Sequence, residues 1–109
     1  MVEGFWIVQF EAVQGGGGGV LVLTKGRIFG GDSGYLYLGE YQADQKYLKG
    51  RVKVQQFLAG VPNVLGISGD FELDLAGTLE GDTIKATASL VTQAGSGLAI
   101  KLTRMGELP

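Results

Sequence analysis

Hydrophobic and polar residues alternate with a period of two along most of the chain, and helical spacing is nearly absent. The clearest segment is "QKYLKGRVKVQQF", in which Leu48, Val52 and Val54 alternate with basic residues. Such alternation predicts a β-strand with one face against a core and the other in solvent. The pattern therefore predicts an all-β protein.

The same alternation recurs in about eight segments separated by turn-length gaps. These segments are "EGFWIVQFEA", "GVLVLTKG", "GRIFGG", "GYLYLGEYQ", "QKYLKGRVKVQQF", "DFELDLAGTL", "TIKATASLV" and "GLAIKLTR". Short turns between successive antiparallel strands produce an up-and-down sheet, and closure into a barrel removes its exposed edges. We expect one antiparallel up-and-down β-barrel domain that covers residues 1–109.

The alternation also predicts what fills the barrel. A barrel of about eight strands has an interior just wide enough for side chains or for one small ligand. The inward set includes Trp6, Phe10 and Phe71 together with many leucines. We expect a packed core, and a cavity that holds a small apolar ligand is the alternative.

One apolar segment, Leu58 to Gly69, interrupts the alternation between the two halves of the sheet. We expect it to cross one end of the barrel, and a plug over the core is favoured over a lid on a cavity because apolar loops need burial. The candidate plug or lid residues are Val61, Pro62, Val64 and Leu65.

Five consecutive glycines, Gly15 to Gly19, invite comparison with a phosphate-binding loop. Such a loop leads into a helix and is followed by Lys-Ser or Lys-Thr. Here the run leads into the strand "VLVLTK". A flexible hairpin loop is the expected structure.

The stretch Gly31-Asp32-Ser33-Gly34 has the spelling that surrounds the nucleophile of trypsin-like proteases. The chain contains no histidine and no cysteine, and a serine–lysine pair would need a desolvated lysine near Ser33. We therefore expect no catalytic residue and no enzyme. Gly30, Gly31 and Asp32 instead predict a structural turn in which Asp32 accepts backbone N–H bonds.

Charge and composition narrow the binding partners. The formal net charge is −2 and no basic stripe is present, so we expect no direct contact with nucleic acid. No apolar run reaches membrane-spanning length and the N-terminus lacks a signal-peptide pattern, which predicts a cytoplasmic protein without a membrane partner. The acids of "DFELD" do not continue as a calcium loop, and we expect neither a metal nor a cofactor.

The strand faces opposite the inferred core carry further apolar residues. A contiguous outer patch of this kind predicts a partner surface, most simply in a sheet-to-sheet homodimer. The candidate surface residues are Phe5, Ile7, Leu21, Leu23, Tyr35 and Tyr37. In "GYLYLGEYQ" either the tyrosines or the neighbouring leucines can face outward, and the pattern leaves that choice open.

The combination of "EGFWIVQF", "GRIFGGDSGYLYLGEY" and "GVPNVLGISGDFELDL" resembles the GrlR family, small negative regulators of type III secretion gene expression. The resemblance spans nearly the whole chain. It implies a calycin-like barrel of eight strands that forms a dimer. It also implies a protein partner, a transcriptional activator with a helix-turn-helix domain that is kept off DNA.

The resemblance also points to one hairpin as a partner site. The best-known member of the family carries an acidic Glu-Asp-Glu-Asp motif in the hairpin after its Tyr-x-Gly pair, whereas this chain has Ala43-Asp44-Gln45-Lys46. Asp44 is therefore the candidate partner residue of the hairpin. The function expected from the sequence is a regulatory binding protein that sequesters a protein partner, with a calycin-like carrier of a small apolar ligand as the alternative.

Overall fold

The computed structural model describes residues 2–12, 15–61, 69–92 and 97–109. These residues form eight antiparallel strands that close into one barrel in chain order, with β8 paired to β1. The strands are β1 (Gly4–Ala12), β2 (Gly15–Thr24), β3 (Arg27–Gly31), β4 (Tyr35–Ala43), β5 (Tyr47–Gln56), β6 (Phe71–Glu80), β7 (Thr83–Leu90) and β8 (Leu98–Gly106). The predicted all-β barrel of about eight strands is confirmed. No helix among the described residues is long and apolar enough to cross a membrane.

The barrel core follows the alternation of the sequence. Leu48, Val52 and Val54 are buried on β5, as predicted, while the basic residues between them are exposed. All the buried side chains in the described residues are apolar or tyrosine: Trp6, Val8, Leu21, Leu23, Ile28, Tyr35, Tyr37, Leu48, Val52, Val54, Leu75, Ile84, Ala88, Leu98, Ile100 and Leu102. The interior face of the sheet therefore forms one hydrophobic core.

The glycine run is part of a strand, and the prediction of a flexible hairpin loop was wrong. Gly15–Gly19 pair in antiparallel register with Ala12–Val8 of β1. Glycine supplies the same backbone hydrogen-bonding groups as any other residue, so the partner strand determines the pairing despite the missing side chains. β2 consequently begins at Gly15 rather than at the apolar residues that follow the run.

The two ends of the barrel differ in their connections. At one end, here called the tight-turn end, short turns join β2 to β3, β4 to β5 and β6 to β7. Lys25, Gly26 and Gly81 adopt positive φ there, as tight hairpins require. At the other end, here called the loop end, the longer connections 57–70 and 91–97 follow β5 and β7. The described residues of these connections, 57–61, 69–70, 91–92 and 97, therefore lie at one mouth of the barrel.

Candidate functional site

The outer surface of β1 to β4 is apolar. Two rows of neighbouring residues cross these strands, and cross-strand neighbours in a sheet lie about 5 Å apart. The first row is Phe5, Val22, Phe29 and Leu38, and the second is Ile7, Val20, Gly31 and Leu36. We call the side chains Phe5, Ile7, Val20, Val22, Phe29, Leu36 and Leu38 the apolar face. All of them except the half-buried Val22 are exposed, Val20 to 60%.

The apolar face confirms the outward placement of Phe5 and Ile7 and corrects four other residues. Leu21, Leu23, Tyr35 and Tyr37 were predicted on the outside, but the structure buries all four in the core. β2 and β4 carry apolar residues on both faces, so their alternation fits either orientation. The outer positions belong to Val20 and Val22 on β2 and to Leu36 and Leu38 on β4.

The tyrosines point inward because their hydroxyl groups find hydrogen-bond acceptors at the loop end. The Tyr35 hydroxyl donates to the Val61 carbonyl oxygen at 2.9 Å, and the Tyr37 hydroxyl donates to the Asp32 carboxylate. The rings can then pack in the core without leaving a buried polar atom unpaired. Leucine on the outer face has no polar group to satisfy.

A ladder of alternating charges borders the apolar face towards the tight-turn end. Arg27, Glu40, Arg51 and Asp74 are successive cross-strand neighbours from β3 to β6. The Arg51 Nε lies 2.9 Å from the Asp74 carboxylate, which raises the pKa of Arg51. Both side chains are more than half exposed, so the pair fixes local geometry and adds little stability. An apolar centre with a charged border is the usual anatomy of a protein interface.

The outer surface of β5 to β8 is polar, unlike that of β1 to β4. Its exposed positions are mostly charged or hydroxyl-bearing residues: Lys49, Arg51, Lys53, Glu72, Asp74, Thr78, Lys85, Thr87 and Lys101. The barrel is therefore two-sided, with an apolar outer half and a solvated outer half. Among the described residues of the strands, the exposed large hydrophobic side chains of β1 to β4 form a contiguous patch, whereas Tyr47 of β5 and Met105 of β8 are exposed singly.

The predicted structural turn joins β3 to β4. The Asp32 carboxylate accepts the backbone N–H groups of Gly34 and Tyr35, each at 2.9 Å, as expected from the sequence. Gly30 and Gly31 are the last residues of β3, and Ser33 is exposed in the turn. Burial, and secondly the hydrogen bond to Asp32, raises the pKa of Tyr37. Asp32 thus holds both the turn and a core tyrosine.

Comparison with known families identifies the chain. The family model described as the T3SS negative regulator GrlR matches residues 1–107. The protein belongs to the GrlR family. A comparison with curated proteins found no match. The resemblance deduced from the sequence is therefore confirmed, and it assigns the chain to a family of negative regulators of type III secretion.

In this member of the GrlR family, the acidic residue of the hairpin between β4 and β5, Asp44, forms hydrogen bonds within its own turn. The Asp44 carboxylate accepts the backbone N–H groups of Lys46 and Tyr47 at 2.8 Å. These bonds lower the pKa of Asp44. The geometry repeats that of Asp32, although Asp44 lies in the exposed turn at the opposite end of the barrel. Asp44 has a structural role, and whether it also contacts a partner stays a prediction.

The crossing segment of this GrlR-family chain is described only in part. Pro62, Val64 and Leu65 lie outside the described residues. Val61 is half-buried and packs against the core, with its side chain beside Gly34 and its carbonyl oxygen bound to Tyr35. Val61 therefore lies over the loop end of the barrel, where the plug or lid was predicted.

The described interior of the barrel is occupied by side chains. Trp6 is 2% exposed, and its indole N–H donates to the Val2 carbonyl oxygen at 2.8 Å. Phe10 packs against the core, and its ring meets Tyr37 edge-to-face at 6.1 Å. These large rings lie where a ligand in the barrel would have to bind.

Phe29, Val20 and Val22 belong to the apolar face but were not among the surface residues predicted from the sequence. Phe29 was assigned to a brief strand without a surface role, and Val20 and Val22 were not separated from the leucines beside them. A signal for Phe29 was present, because it alternates with the buried Ile28. Its neighbours Val22 and Leu38 come from other strands, and only the strand register shows that they lie next to Phe29.

Proposed function

We propose that this protein is a homodimer that acts in the cytoplasm by sequestering a protein partner, a transcriptional activator of type III secretion genes. The apolar face is the observation that carries the proposal. Membership of a family of T3SS negative regulators supports the regulatory role. The partner surface predicted from the sequence thus keeps its location on β1, β2 and β4, extends to β3, and changes most of its residues.

The size of the apolar face supports a homodimer. Large apolar side chains cover roughly 150–200 Å² each, so the exposed fractions leave a patch on the order of 500 Å². Two such faces packed together would bury about 1,000 Å² of apolar surface, which is about the least area expected of a biological interface. In a two-fold dimer the same surface of each copy is used, and the charged ladder of each protomer would lie at the rim.

The charge distribution supports regulation through a protein rather than through DNA. The chain carries nine basic and eleven acidic residues, and on the outer sheet Glu72 lies opposite Lys53 and Asp74 pairs with Arg51, so the basic residues form no uninterrupted patch. Direct binding to DNA needs several unpaired basic side chains that contact phosphates. A negative regulator with this surface acts most simply by occupying the activator.

The alternative function, a calycin-like carrier of a small apolar ligand inside the barrel, receives less support. Trp6 and Phe10 fill positions in the barrel that a carrier would leave open. A carrier also has no need of an exposed apolar face on the outside of its sheet.

Sedimentation velocity on full-length variants tests the dimer. Val20→Glu and Phe29→Glu place a charge in the centre of the apolar face and should give monomers with unchanged circular dichroism. Thr87→Glu, on the exposed outer face of β7, is the matched control and should remain a dimer. A monomeric wild-type protein at micromolar concentration, or a dimeric Val20→Glu variant, would contradict this interface.

Native mass spectrometry of the protein purified gently from its source cells tests sequestration. A dimer that carries a second polypeptide supports the proposal and identifies the partner. The captured activator should then lose binding to its promoter DNA when this protein is added. A barrel that retains a few hundred daltons of small molecule and no polypeptide would instead support the carrier.

A further inference from the structure

A groove opens at the loop end of the barrel, where β6 begins and β7 ends. Its volume is about 390 Å³, enough for one or two side chains of another molecule. The lining residues are Asp70, Phe71, Glu72, Leu90, Val91 and Thr92. We call it the mouth groove.

The floor of the mouth groove is apolar and held in place. The Phe71 ring lies 6.5 Å from the ring of Tyr35, and the Tyr35 hydroxyl is bound to the Val61 carbonyl oxygen. Phe71 therefore rests on a side chain that is fixed at both ends. Val91, beside it, is 37% exposed. An apolar group that enters the groove meets a preformed surface and loses little binding free energy to reorganisation.

The border of the mouth groove is acidic. Asp70 and Glu72 flank Phe71 in sequence, and both are exposed. The Asp70 carboxylate accepts a hydrogen bond from the backbone N–H of Gln56 at 2.9 Å, which ties the start of β6 to the end of β5. Glu72 lies across from Lys53 in the register of β5 with β6. Lys53 is the cation that this register brings next to the groove.

The segments that form this part of the barrel contain almost no other lysine or arginine. Residues 54–84 contain no lysine or arginine, and residues 86–100 contain no charged residue. These stretches include the whole of β6, nearly all of β7 and the connections that follow β5 and β7. The acidic border is therefore opposed by few positive charges, whereas the tight-turn end carries both signs, because its turns and strand ends include Lys25, Arg27 and Lys46 as well as Asp44 and Asp82.

We propose that the mouth groove binds a segment of the sequestered protein in which apolar side chains are flanked by lysine or arginine. This inference rests on the proposed function and adds the place and the chemistry of partner recognition. The apolar groups would enter over Phe71 and Val91, and the cations would meet Asp70 and Glu72. Charge complementarity selects this occupant over anionic peptides and nucleic acid.

The position of the mouth groove is compatible with a dimer. β6 and β7 lie across the closed barrel from β2 and β3, which carry the centre of the apolar face. Two copies joined through their apolar faces would leave both mouth grooves accessible. One dimer could then hold two segments of the partner, which raises the apparent affinity when the partner is itself dimeric.

NMR titration of the full-length protein tests the groove with a defined probe. The probe is a twelve-residue Gly/Ser peptide with Arg-Leu-Leu-Arg at its centre, compared with peptides that carry Glu-Leu-Leu-Glu or Arg-Ser-Ser-Arg. The first peptide should shift the amide signals of Phe71, Glu72, Leu90 and Val91, and the other two should bind about tenfold more weakly or worse. Equal binding of all three, or shifts confined to the apolar face, overturns the proposal.

Matched variants test the charged contact and the apolar contact of the mouth groove separately. Glu72→Gln removes a carboxylate and Val91→Ser an apolar contact, and each should weaken the probe about three- to tenfold. Glu107→Gln and Met105→Ser, on exposed residues at the tight-turn end, should leave its affinity unchanged. Wild-type affinity in both groove variants would overturn the assignment of the site.

Capture of the natural partner distinguishes this inference from the proposed function. If the wild-type protein captures a partner and Glu72→Gln or Val91→Ser reduces the capture, the groove is the binding site. Full capture by both variants overturns the groove and leaves sequestration intact. If neither the wild-type protein nor the groove variants capture a partner, the proposed function fails. The peptide titration then still decides whether the groove recognises apolar segments flanked by basic residues.

Discussion

At the scale of single residues, two aspartates build the same turn at opposite ends of the barrel. In Asp32-Ser33-Gly34-Tyr35 and in Asp44-Gln45-Lys46-Tyr47, the carboxylate accepts the N–H groups two and three residues later. Each aspartate N–H also donates to the carbonyl oxygen of the following tyrosine at 3.0 Å. Asp32 differs because Tyr37 reaches it from the core.

This difference predicts unequal costs for the two alanine substitutions. Asp32→Ala should lower the free energy of unfolding by about 2–3 kcal/mol, since the turn loses its acceptor and the buried Tyr37 hydroxyl loses its partner. Asp44→Ala is the control and should cost clearly less, because its turn is exposed. Urea denaturation measures both. Equal losses would show that the contact with Tyr37 contributes nothing.

Tyr37 also predicts how stability depends on alkaline pH. Its pKa is raised in the folded state, by burial first and then by Asp32. A raised pKa gives stability that is complete below the unfolded value of about 10 and is lost as pH rises above it. Urea midpoints measured from neutral pH upward should fall above about pH 10, and Tyr37→Phe should reduce that fall. Identical pH profiles for the two proteins would contradict this role.

At the scale of the elements, β2 and β4 meet where β3 is short. β3 pairs with β2 only from Val20 to Thr24, while β1 pairs with β2 from Gly15 to Leu23. Beyond the end of β3, the Tyr37 side chain of β4 extends to Gly19. A Cβ atom on Gly19 would lie 3.0 Å from the Tyr37 ring and 2.8 Å from the Gly31 carbonyl oxygen. The glycine leaves room for the tyrosine that covers this part of the core.

The loss of stability caused by substitution within the glycine run should therefore depend strongly on position. Gly19→Ala should destabilise the protein by about 1–3 kcal/mol, because a methyl group at this site forces Tyr37 or the Gly31 backbone to move. Gly18→Ala faces outward, with its added carbon 3.2 Å from a carbonyl oxygen, and should cost less than half as much. Thermal unfolding of the two variants tests this order, and a larger loss for Gly18→Ala would contradict it.

At the scale of the whole molecule, the barrel depends on a seam between its first and last strands. β1 pairs with β8 through an irregularity between Phe5 and Trp6. The Arg104 guanidinium donates two hydrogen bonds to the Glu3 carbonyl oxygen, at 3.0 and 2.8 Å. These contacts join residues far apart in sequence and fix the N-terminal end of β1 to β8.

Weakening the seam should open the barrel locally before it unfolds. Arg104→Lys keeps the charge and loses the planar pair of donors, and should lower the free energy of unfolding by about 1 kcal/mol. Amide exchange should increase most for the residues of β1 and β8 near the tight-turn end. Lys101→Arg, an exposed change on the same strand, is the control. Uniform acceleration across all eight strands would contradict a local role.

The alternation of polar and apolar residues by itself determined much of this protein. It predicted the class of fold, the positions of most strands and the buried set of β5. It could do so because a solvated sheet face and a core face impose opposite polarity on successive residues. The Asp32 turn was equally predictable, since its hydrogen bonds stay within four residues.

Tertiary structure decided the features for which local polarity carries no signal. In "VLVL" and "YLYL" both faces are apolar, and a shift of one residue exchanges them. Barrel closure and the hydrogen-bond acceptors at Asp32 and Val61 place the tyrosines on the inner face. Gly15–Gly19 form a strand because β1 pairs with them. The apolar face and the mouth groove join residues from different strands, which only the register brings together.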